Sequence, residues 1–508
     1  LEDAFLVAEH SKAALLLENT KDLRAKTMAG VPDSLVERER DLRIELAYYK
    51  TNLYQAHKNK DTSAITAFEK NIFDSQRKLE AFKSKLERSF PAYFKLKYDS
   101  KIVRLPDVQK DLLKNTTVLQ YFVTDDDIYC FVISRTKADI KRLPINDDLK
   151  STVANYQKSL TDFSFIMNNQ SKADSLYQET ARDLYSLLMI GGAEQKLIII
   201  PDDFLAQLNF GTLLYEDVNG KNYASLPYLA TKHTISYAYS SAFLGETNKR
   251  RVSNFAGFAP SYDQVDYTDV DSAMHPMAAL VVRSGNLPLP GATEEVNAIS
   301  KLMNGESWIN EEATETNFKK YSGDYDVLHL AMHSLLNDEE PRYSELLFNH
   351  RKDNENDGYL TIAEIYNLKL NAQLVVLSAC SSGFGKIQNG EGPISLSRAF
   401  SYAGCPSVVM SLWKVPDLVT TSIMKNFYES LSDGLSKDEA LQAAQVKFLN
   451  ENKDPIYSHP YYWAGFVVIG DNSPLERGTN WGYYLIGISV VAVTVVLVRR
   501  FRKQGSES

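Results

Sequence analysis

The sequence predicts an α/β fold: a sheet with parallel strands flanked by helices, preceded by an α-helical hairpin or repeat remnant and followed by one C-terminal transmembrane helix. Three observations lead to this prediction. From about residue 100 to 472, helical stretches alternate with short apolar runs, several continuous in Val, Ile and Leu, as in parallel strands buried on both faces. Earlier residues have apolar positions at helical spacing. An uncharged apolar stretch lies near the end of the chain.

The first part of the chain is predicted to be helical throughout. Residues 1–30 have the apolar spacing of the end of a helical array, and residues 31–98 are predicted to form a helical hairpin linker. In that hairpin, Ser34-Leu-Val-Glu37 is interpreted as a capping box that opens a helix running to about His57. We interpret the hairpin as a structural arm or spacer.

The second helix of the hairpin is expected to span about Thr62 to Ser89, and Pro91 is expected to end it. Its apolar residues repeat every seven positions, which is typical of a coiled-coil seam. The repeating positions are Ile65, Ile72, Leu79 and Leu86.

Seven apolar runs are predicted to be strands of the sheet. They are 118–123, 129–134, 196–201, 327–331, 373–379, 407–412 and 465–470. Helices are expected between some of them, including 395–403 and 418–431. Because ligands of such sheets lie beyond the carboxyl ends of the strands, chemistry is expected directly after these runs.

Two of the runs lead directly to reactive side chains. DVLHLA is followed by Met332, His333 and Ser334, and QLVVLSA is followed by Cys380. The separation of 47 residues corresponds to about one βαβ crossover with an insertion, so the two strands can be neighbours. An imidazole within hydrogen-bonding reach can deprotonate a cysteine, and the thiolate can then attack a peptide carbonyl. The sequence therefore predicts a cysteine peptidase with Cys380 as nucleophile and His333 as base.

Supporting residues follow from the same strand ends. The backbone N–H groups of Cys380 and Ser334 are candidate oxyanion donors, and Gly383 would let the turn after the nucleophile pack closely. The alternative is that Cys380 is a buried apolar residue and His333 a satisfied histidine at a strand end. We interpret Cys130 and Cys405 as core residues, and His329 as a core or supporting residue.

A series of ordered motifs resembles a CHAT domain, a caspase-like family often found after tetratricopeptide repeats. The matching segments are IIIPDDFLAQLNFGTLL, LPLPGATEEV, YDVLHLAMHS, SELLF, DGYLTIAEIYNLKL, LVVLSACSSGFG, GEGPISLSRAFSYAGCPSVVMSLWKV and HPYYWAGFVVIGD. The CSSG after the nucleophile also resembles separase. In the family, the catalytic dyad corresponds to His333 and Cys380. Many relatives have Gly after the catalytic His, where this chain has Ser334, so the oxyanion assignment departs from the family pattern.

The resemblance implies a caspase-like sheet of two related halves, over residues 99–472. The inactive half would be 99–248 and the catalytic half 249–472. The helices before it resemble the last tetratricopeptide repeat and its linker. A protein activator acting through such upstream repeats is therefore expected, together with a protein substrate.

A substrate pocket is expected after the strand at 407–412. Trp413 could form a wall of this pocket, and Asp417 could pair with a basic P1 residue, as a similarly placed acid does in separase-like relatives. Asp417 could equally be the N-cap of a helix that starts near Leu418. The glycine-rich loop 383–393 lacks the P-loop pattern and is interpreted as a mobile lid or a surface loop, with Glu391 matching the family's GEG motif.

The stretch 481–498 is predicted to be a transmembrane helix. Its 18 residues carry no charge and would cover roughly 27 Å as a helix. The basic tail 499–508 would lie in the cytoplasm by the positive-inside rule, which puts the catalytic region outside it. A tail-anchored protein with a cytosolic catalytic region is the alternative. Because the chain starts at Leu1 within a helical pattern, we expect a fragment or a processed form.

Composition excludes several functional classes. The net charge of −9 argues against a general nucleic-acid binder. Three cysteines without a CxxC pair, and eight histidines without a metal-binding spacing, predict neither a metal site nor a cofactor. The sequence thus predicts a regulated, membrane-anchored cysteine endopeptidase. The alternatives are a catalytically inactive signalling scaffold of the same fold and a purely structural membrane-anchored repeat protein.

Overall fold

The computed structural model describes most of the chain. The described residues are 1–12, 14–98, 103–189, 191, 194–218, 220, 222–245, 251–262, 289–337, 339–350, 353, 355–379, 387–388, 392–393, 395–452 and 454–476. The predicted transmembrane stretch 481–498 and the basic tail 499–508 lie outside them. Among the described residues, no helix combines the length and apolar character needed to cross a membrane.

The helices are numbered in chain order over the described residues. They are α1 (Glu2–His10), α2 (Ala14–Met28), α3 (Asp33–Lys58), α4 (Thr62–Ser89), α5 (Pro91–Lys97), α6 (Leu105–Asp111), α7 (Asp147–Thr161), α8 (Phe163–Asn168), α9 (Gln170–Leu188), α10 (Leu229–Lys232), α11 (Pro290–Met303), α12 (Glu315–Tyr321), α13 (Ile362–Ile365), α14 (Leu396–Tyr402), α15 (Asp417–Ser432), α16 (Lys437–Glu451) and α17 (Pro460–Trp463). Short 3₁₀ segments are Asp203–Gln207, Phe210–Thr212, Tyr223–Ser225, Ser241–Phe243, Ser322–Asp324 and Pro341–Tyr343.

The strands are numbered in the same way. They are β1 (Thr116–Val123), β2 (Asp127–Ser134), β3 (Ala138–Pro144), β4 (Lys196–Ile200), β5 (Thr234–Tyr237), β6 (Phe255–Pro260), β7 (Glu306–Asn310), β8 (Val327–Met332), β9 (Ser334–Leu335), β10 (Glu345–Leu347), β11 (Tyr359–Thr361), β12 (Leu374–Ala379), β13 (Ile387–Gln388), β14 (Gly392–Pro393), β15 (Ser407–Ser411) and β16 (Phe466–Gly470).

Helices α3 and α4 pack against each other along the predicted seam, where Leu79 and Leu86 are buried. The bounds of α4 are as predicted. The predicted capping box at Ser34 is wrong, because the N-cap of α3 is Pro32, two residues earlier, and no side chain caps the helix. The backbone carbonyl of Pro32 accepts the first helical hydrogen bond from Leu35 N at 2.9 Å, so the serine lies inside the helix. Pro91 is the first residue of α5, a position that its fixed φ favours.

Within the described part of the chain, eleven strands form one sheet, in the order β3-β2-β1-β4-β5-β16-β15-β12-β8-β6-β7. All seven predicted strands belong to it. The sequence missed four others, including β6, whose run FAGFAP has no Val, Ile or Leu and sets small residues beside its two phenylalanines. The small residue is needed there, because a Cβ on Gly257 would lie 2.7 Å from Val296 Cγ1 of α11.

The sheet consists of two parallel blocks that run in opposite directions. The first block is β1, β4, β5 and β16, and the second is β15, β12, β8, β6 and β7. They meet at the antiparallel pair β15–β16, and β2 and β3 add antiparallel strands at the edge. The sheet is therefore mixed rather than purely parallel, and the carboxyl ends of the two blocks open at opposite edges. The division into halves at residues 248 and 249 stays a prediction.

Candidate active site

The two strands predicted to carry the dyad are neighbours. β8 and β12 pair in parallel from Val327↔Leu374 to Met332↔Ala379. Their carboxyl ends therefore lie side by side, and His333 is the next residue after β8. Cys380 follows Ala379 in the sequence but lies outside the described residues, as do the predicted loop residues Gly383 and Glu391.

His333 is held at its place by a tyrosine that the sequence did not single out. Tyr262, two residues after β6, accepts the backbone N–H of His333 at 3.1 Å and donates its hydroxyl to the carbonyl of Leu347 at 2.8 Å. The tyrosine and imidazole rings lie with their centroids 4.8 Å apart. His333 is 5% exposed. Its backbone N–H is thus engaged by Tyr262, and its carbonyl by Leu347 N at 3.0 Å.

Ser334, the predicted oxyanion donor, begins β9. It pairs with Leu346 of β10, and the hydrogen bond from Leu347 N to the His333 carbonyl flanks that pair. The pair is therefore of the non-hydrogen-bonded kind, and the β9–β10 ladder does not use the Ser334 N–H. The oxyanion role of Ser334 stays a prediction.

A buried polar network lies beneath these strand ends, formed by Glu295, His329, Ser378 and Tyr428. Glu295 Oε1 is 2.8 Å from His329 Nε2 and 2.7 Å from Ser378 Oγ. His329 Nδ1 is 3.2 Å from the Tyr428 hydroxyl. We call this set the Glu295 network. His329 thus acts as a supporting core residue, one of the two roles interpreted for it.

The family follows from a comparison of the whole chain with family models. The model of the CHAT domain matches residues 172–471, which include β8, β12 and the elements around them. The chain belongs to the CHAT domain family. The resemblance seen in the motifs is thereby confirmed.

The chain also has curated relatives. Over 224 residues it is 30% identical to tetratricopeptide repeat protein 28 of Homo sapiens and 29% identical to that of Mus musculus. Each match covers 38% of this chain and 9% of the relative, so the chain matches only a small part of these longer proteins.

Solved structures similar to this chain include a cysteine proteinase and a separase complex. One is the Arg-specific cysteine proteinase gingipain R of Porphyromonas gingivalis, with 12% identity and a TM-score of 0.36, covering 65% of this chain and 75% of the other. The second is the separase–securin complex of Saccharomyces cerevisiae, with 11% identity and a TM-score of 0.41, covering 80% of this chain and 34% of the other.

Asp417 of the CHAT domain does not cap its own helix, so that alternative is wrong. It is the first residue of α15, whose N-cap is Pro416. Its carboxylate instead accepts the backbone N–H of Gly291 at the start of α11, at 2.6 Å. Burial is the main cause that raises the pKa of Asp417, and the nearby Glu295 raises it further while the Gly291 N–H opposes them.

Trp413 is buried in the core at 4% exposure. Its indole N–H donates to the carbonyl of Tyr461 at 2.8 Å, and its ring lies against Gly465. The indole is thus fixed by core contacts, and its role as a pocket wall stays a prediction.

The other two cysteines are core residues, as predicted. Cys130 and Cys405 are each 1% exposed, and burial raises the pKa of each thiol to about 12. Neither is a ready nucleophile, because the thiolate is the reactive form. Among the described residues, no three His, Cys, Asp or Glu side chains are grouped so that they could hold a metal ion.

Sequence reasoning missed four residues of the site: Tyr262, Glu295, Ser378 and Tyr428. Two of them carried a signal. Ser378 is a polar residue inside an otherwise apolar strand, and Glu295 belongs to the run LPLPGATEEV that resembles the family. Tyr262 follows a strand that the sequence did not predict, so it had no such signal.

Proposed function

We propose that the chain is a membrane-anchored, caspase-like cysteine endopeptidase with Cys380 as nucleophile and His333 as general base. The observation that carries the proposal is the parallel pairing of β8 and β12 up to Met332↔Ala379, after which the next residues in the sequence are His333 and Cys380. Membership in the CHAT family supports it.

In the proposed reaction, His333 accepts the proton of the Cys380 thiol. The thiolate attacks the scissile carbonyl, and the backbone N–H groups of Cys380 and Ser334 stabilise the oxyanion. His333 then donates its proton to the leaving amine, which gives an acyl-enzyme. A water molecule, deprotonated by His333, hydrolyses the thioester and regenerates the thiol. Tyr262 holds the backbone of His333 during both steps.

Two features support a regulated enzyme with a basic P1 preference. The carboxylate of Asp417 lies next to the Glu295 network, so a basic side chain brought there would meet negative charge. The hairpin also reaches the segment that follows β9. Tyr54 of α3 stacks on Tyr343 with ring centroids 4.2 Å apart and accepts a hydrogen bond from Asn337 at 3.0 Å. A protein activator that moves the upstream helices would act on the His333 strand through this contact.

Cleavage of a peptide library by the full chain tests the dyad. Cys380→Ala and His333→Ala should each abolish cleavage, because either the nucleophile or its base is lost. Cys405→Ala and His10→Ala are matched controls, a buried cysteine and an exposed histidine, and should retain it. If wild type and dyad variants leave the library equally intact, with candidate activators present, the chain is a scaffold rather than a peptidase.

The regulatory contact has its own test. Tyr54→Ala should change cleavage severalfold, whereas Tyr48→Ala, on the same helix but 60% exposed, should not. Equal rates for both variants would remove the hairpin from the proposal.

The membrane anchor is proposed on residues 481–498 and the basic tail that follows them. A reporter fused after Ser508 should be active in the cytoplasm if the catalytic region lies outside it. Activity of the reporter on the other side would favour the tail-anchored alternative, and release of the chain by carbonate washing would contradict the anchor.

A further inference from the structure

One carboxylate joins the two strands that carry the proposed dyad. Glu295 of α11 is 2% exposed, and its Oε1 contacts both His329 Nε2 on β8 and Ser378 Oγ on β12. We infer that Glu295 is a positioning residue for the proposed dyad, fixing the spacing of the two strands at the end where it lies. This inference rests on the proposed function.

The contacts lie on one face of the sheet, the face covered by α11. Side chains alternate along a strand, so His329, Ala331 and His333 share one face of β8. Ala331 packs against Ala292 of α11, which identifies this as the helix-covered face. Ser378 faces the same helix, and Cys380 is two residues later in the sequence. Glu295 therefore contacts β8 and β12 on the face covered by α11, through His329 and Ser378.

The charges and protons of the network are mutually consistent. Burial, and next the Glu295 carboxylate, raise the pKa of Tyr428 well above its usual value, so its hydroxyl keeps its proton. That hydroxyl can donate to His329 Nδ1, which leaves the imidazole proton on Nε2 to donate to Glu295. Ser378 donates to the same oxygen. Glu295 Oε1 is then the acceptor shared by His329 of β8 and Ser378 of β12.

Glu295 is itself held by the helices around it. The N-terminus of α11 is tied to α15, because Gly291 N donates to Asp417 at 2.6 Å. Tyr428, which completes the network, also lies on α15. The second oxygen of Glu295, Oε2, is buried with no hydrogen-bond partner among the described residues. A buried carboxylate depends on the donors it has, so loss of either one should shift the strands.

Small displacements at a reacting pair have large kinetic effects, because about 1 Å of misplacement can cost on the order of 100-fold in rate. Glu295→Gln keeps the shape of the side chain and one acceptor oxygen but removes the negative charge, which weakens the hydrogen bonds from both His329 and Ser378. We expect kcat to fall about 10- to 100-fold, while KM stays within about threefold. Ser378→Ala removes one donor only and should cause a smaller fall in kcat, about three- to tenfold.

A second readout does not require a substrate. The rate of alkylation of the native full chain by iodoacetamide, measured against pH, reports thiolate formation. Cys130 and Cys405 are buried, with pKa values raised to about 12, so the fast reaction belongs to Cys380. His333→Ala should raise the midpoint of this profile. Glu295→Gln and Ser378→Ala should raise it in the same direction by a smaller amount.

The control is Glu9→Gln, which alters another buried carboxylate, one that accepts from a serine hydroxyl and from N–H groups at the first block of the sheet. Urea unfolding of every variant separates loss of fold from loss of positioning. The inference is overturned if Glu295→Gln and Glu9→Gln give the same alkylation profile and kcat. If Glu295→Gln does not fold, Ser378→Ala decides by the same criterion. The proposed function fails separately, if His333→Ala leaves the profile unchanged and cleavage is absent.

Discussion

The carboxyl edges of the two blocks of the sheet differ in what occupies them. At the first edge, polar groups are taken up by α1 and by Lys12, two residues after its end. Glu9 accepts hydrogen bonds from Ser240 Oγ, from Ala242 N at 2.9 Å and from Gln120 Nε2 at 3.1 Å. Lys12 pairs with Asp202, which follows β4, at 3.3 Å. At the second edge, the strand end carries His333 and a tyrosine that holds it. Strand-end polar groups can serve chemistry only where packing elements have not already used them.

The largest effect on stability is expected from removing the Glu9 carboxylate at the first edge. Glu9→Ala leaves several buried donors without their acceptor, so we expect a loss of about 3 to 5 kcal/mol in the free energy of unfolding. Urea unfolding measures it. Glu2→Ala, exposed on the same helix, should cost less than about 1 kcal/mol. Similar losses for both variants would show that the Glu9 contacts do not stabilise this edge.

Acid should act on a buried histidine in the segment that leads to β16, the strand at which the two blocks meet. His459 packs against Tyr223 and precedes β16, and burial lowers its pKa to about 3. Below about pH 6.5 the unfolded chain binds a proton that the folded chain does not bind until about pH 3, so stability falls as pH falls through that window.

The expected loss from His459 is about 2 kcal/mol at pH 5. His459→Gln removes the titrating group while keeping an acceptor for the backbone N–H of Tyr461. The difference between the unfolding free energies at pH 7 and pH 5 should therefore shrink in this variant. An unchanged pH dependence would rule out His459 as its source.

At the second edge, Tyr262→Phe removes the hydroxyl that links His333 N to the Leu347 carbonyl. We expect kcat for peptide cleavage to fall about tenfold, equivalent to about 1.4 kcal/mol, with KM nearly unchanged. Tyr359→Phe is a control on the nearby β11. A larger loss in stability than in kcat would make Tyr262 a packing residue only.

The smallest expected effect is on specificity. Asp417→Asn keeps an acceptor for Gly291 N and removes the charge, so the fold should persist while preference for a basic P1 residue over its neutral analogue falls severalfold, or about 1 kcal/mol. Competitive cleavage of paired peptides measures this ratio. An unchanged ratio would remove Asp417 from the pocket.

Local patterns predicted much of this architecture, because they are set by short-range burial. The seven long apolar runs and the helices α3 and α4 were accessible in this way, and so was the adjacency of β8 and β12, through the 47-residue crossover. The features that local patterns did not predict depend on partners that are distant in the sequence. Asp417 binds a backbone N–H 126 residues away, and Glu9 binds a serine 231 residues away. β6 was missed because close helix packing there selects small residues.

The position of β16 has a consequence for synthesis of the chain. This strand comes after every other strand of the sheet in sequence, yet it lies between β5 and β15 in the middle. Until the ribosome has released it, both neighbours present open, apolar edges that can pair with other nascent chains. The two blocks can collapse separately but can join only when the last strand arrives. Such a chain is expected to need chaperone protection late in translation, and truncation before residue 466 should lead to aggregation rather than to a stable shorter domain.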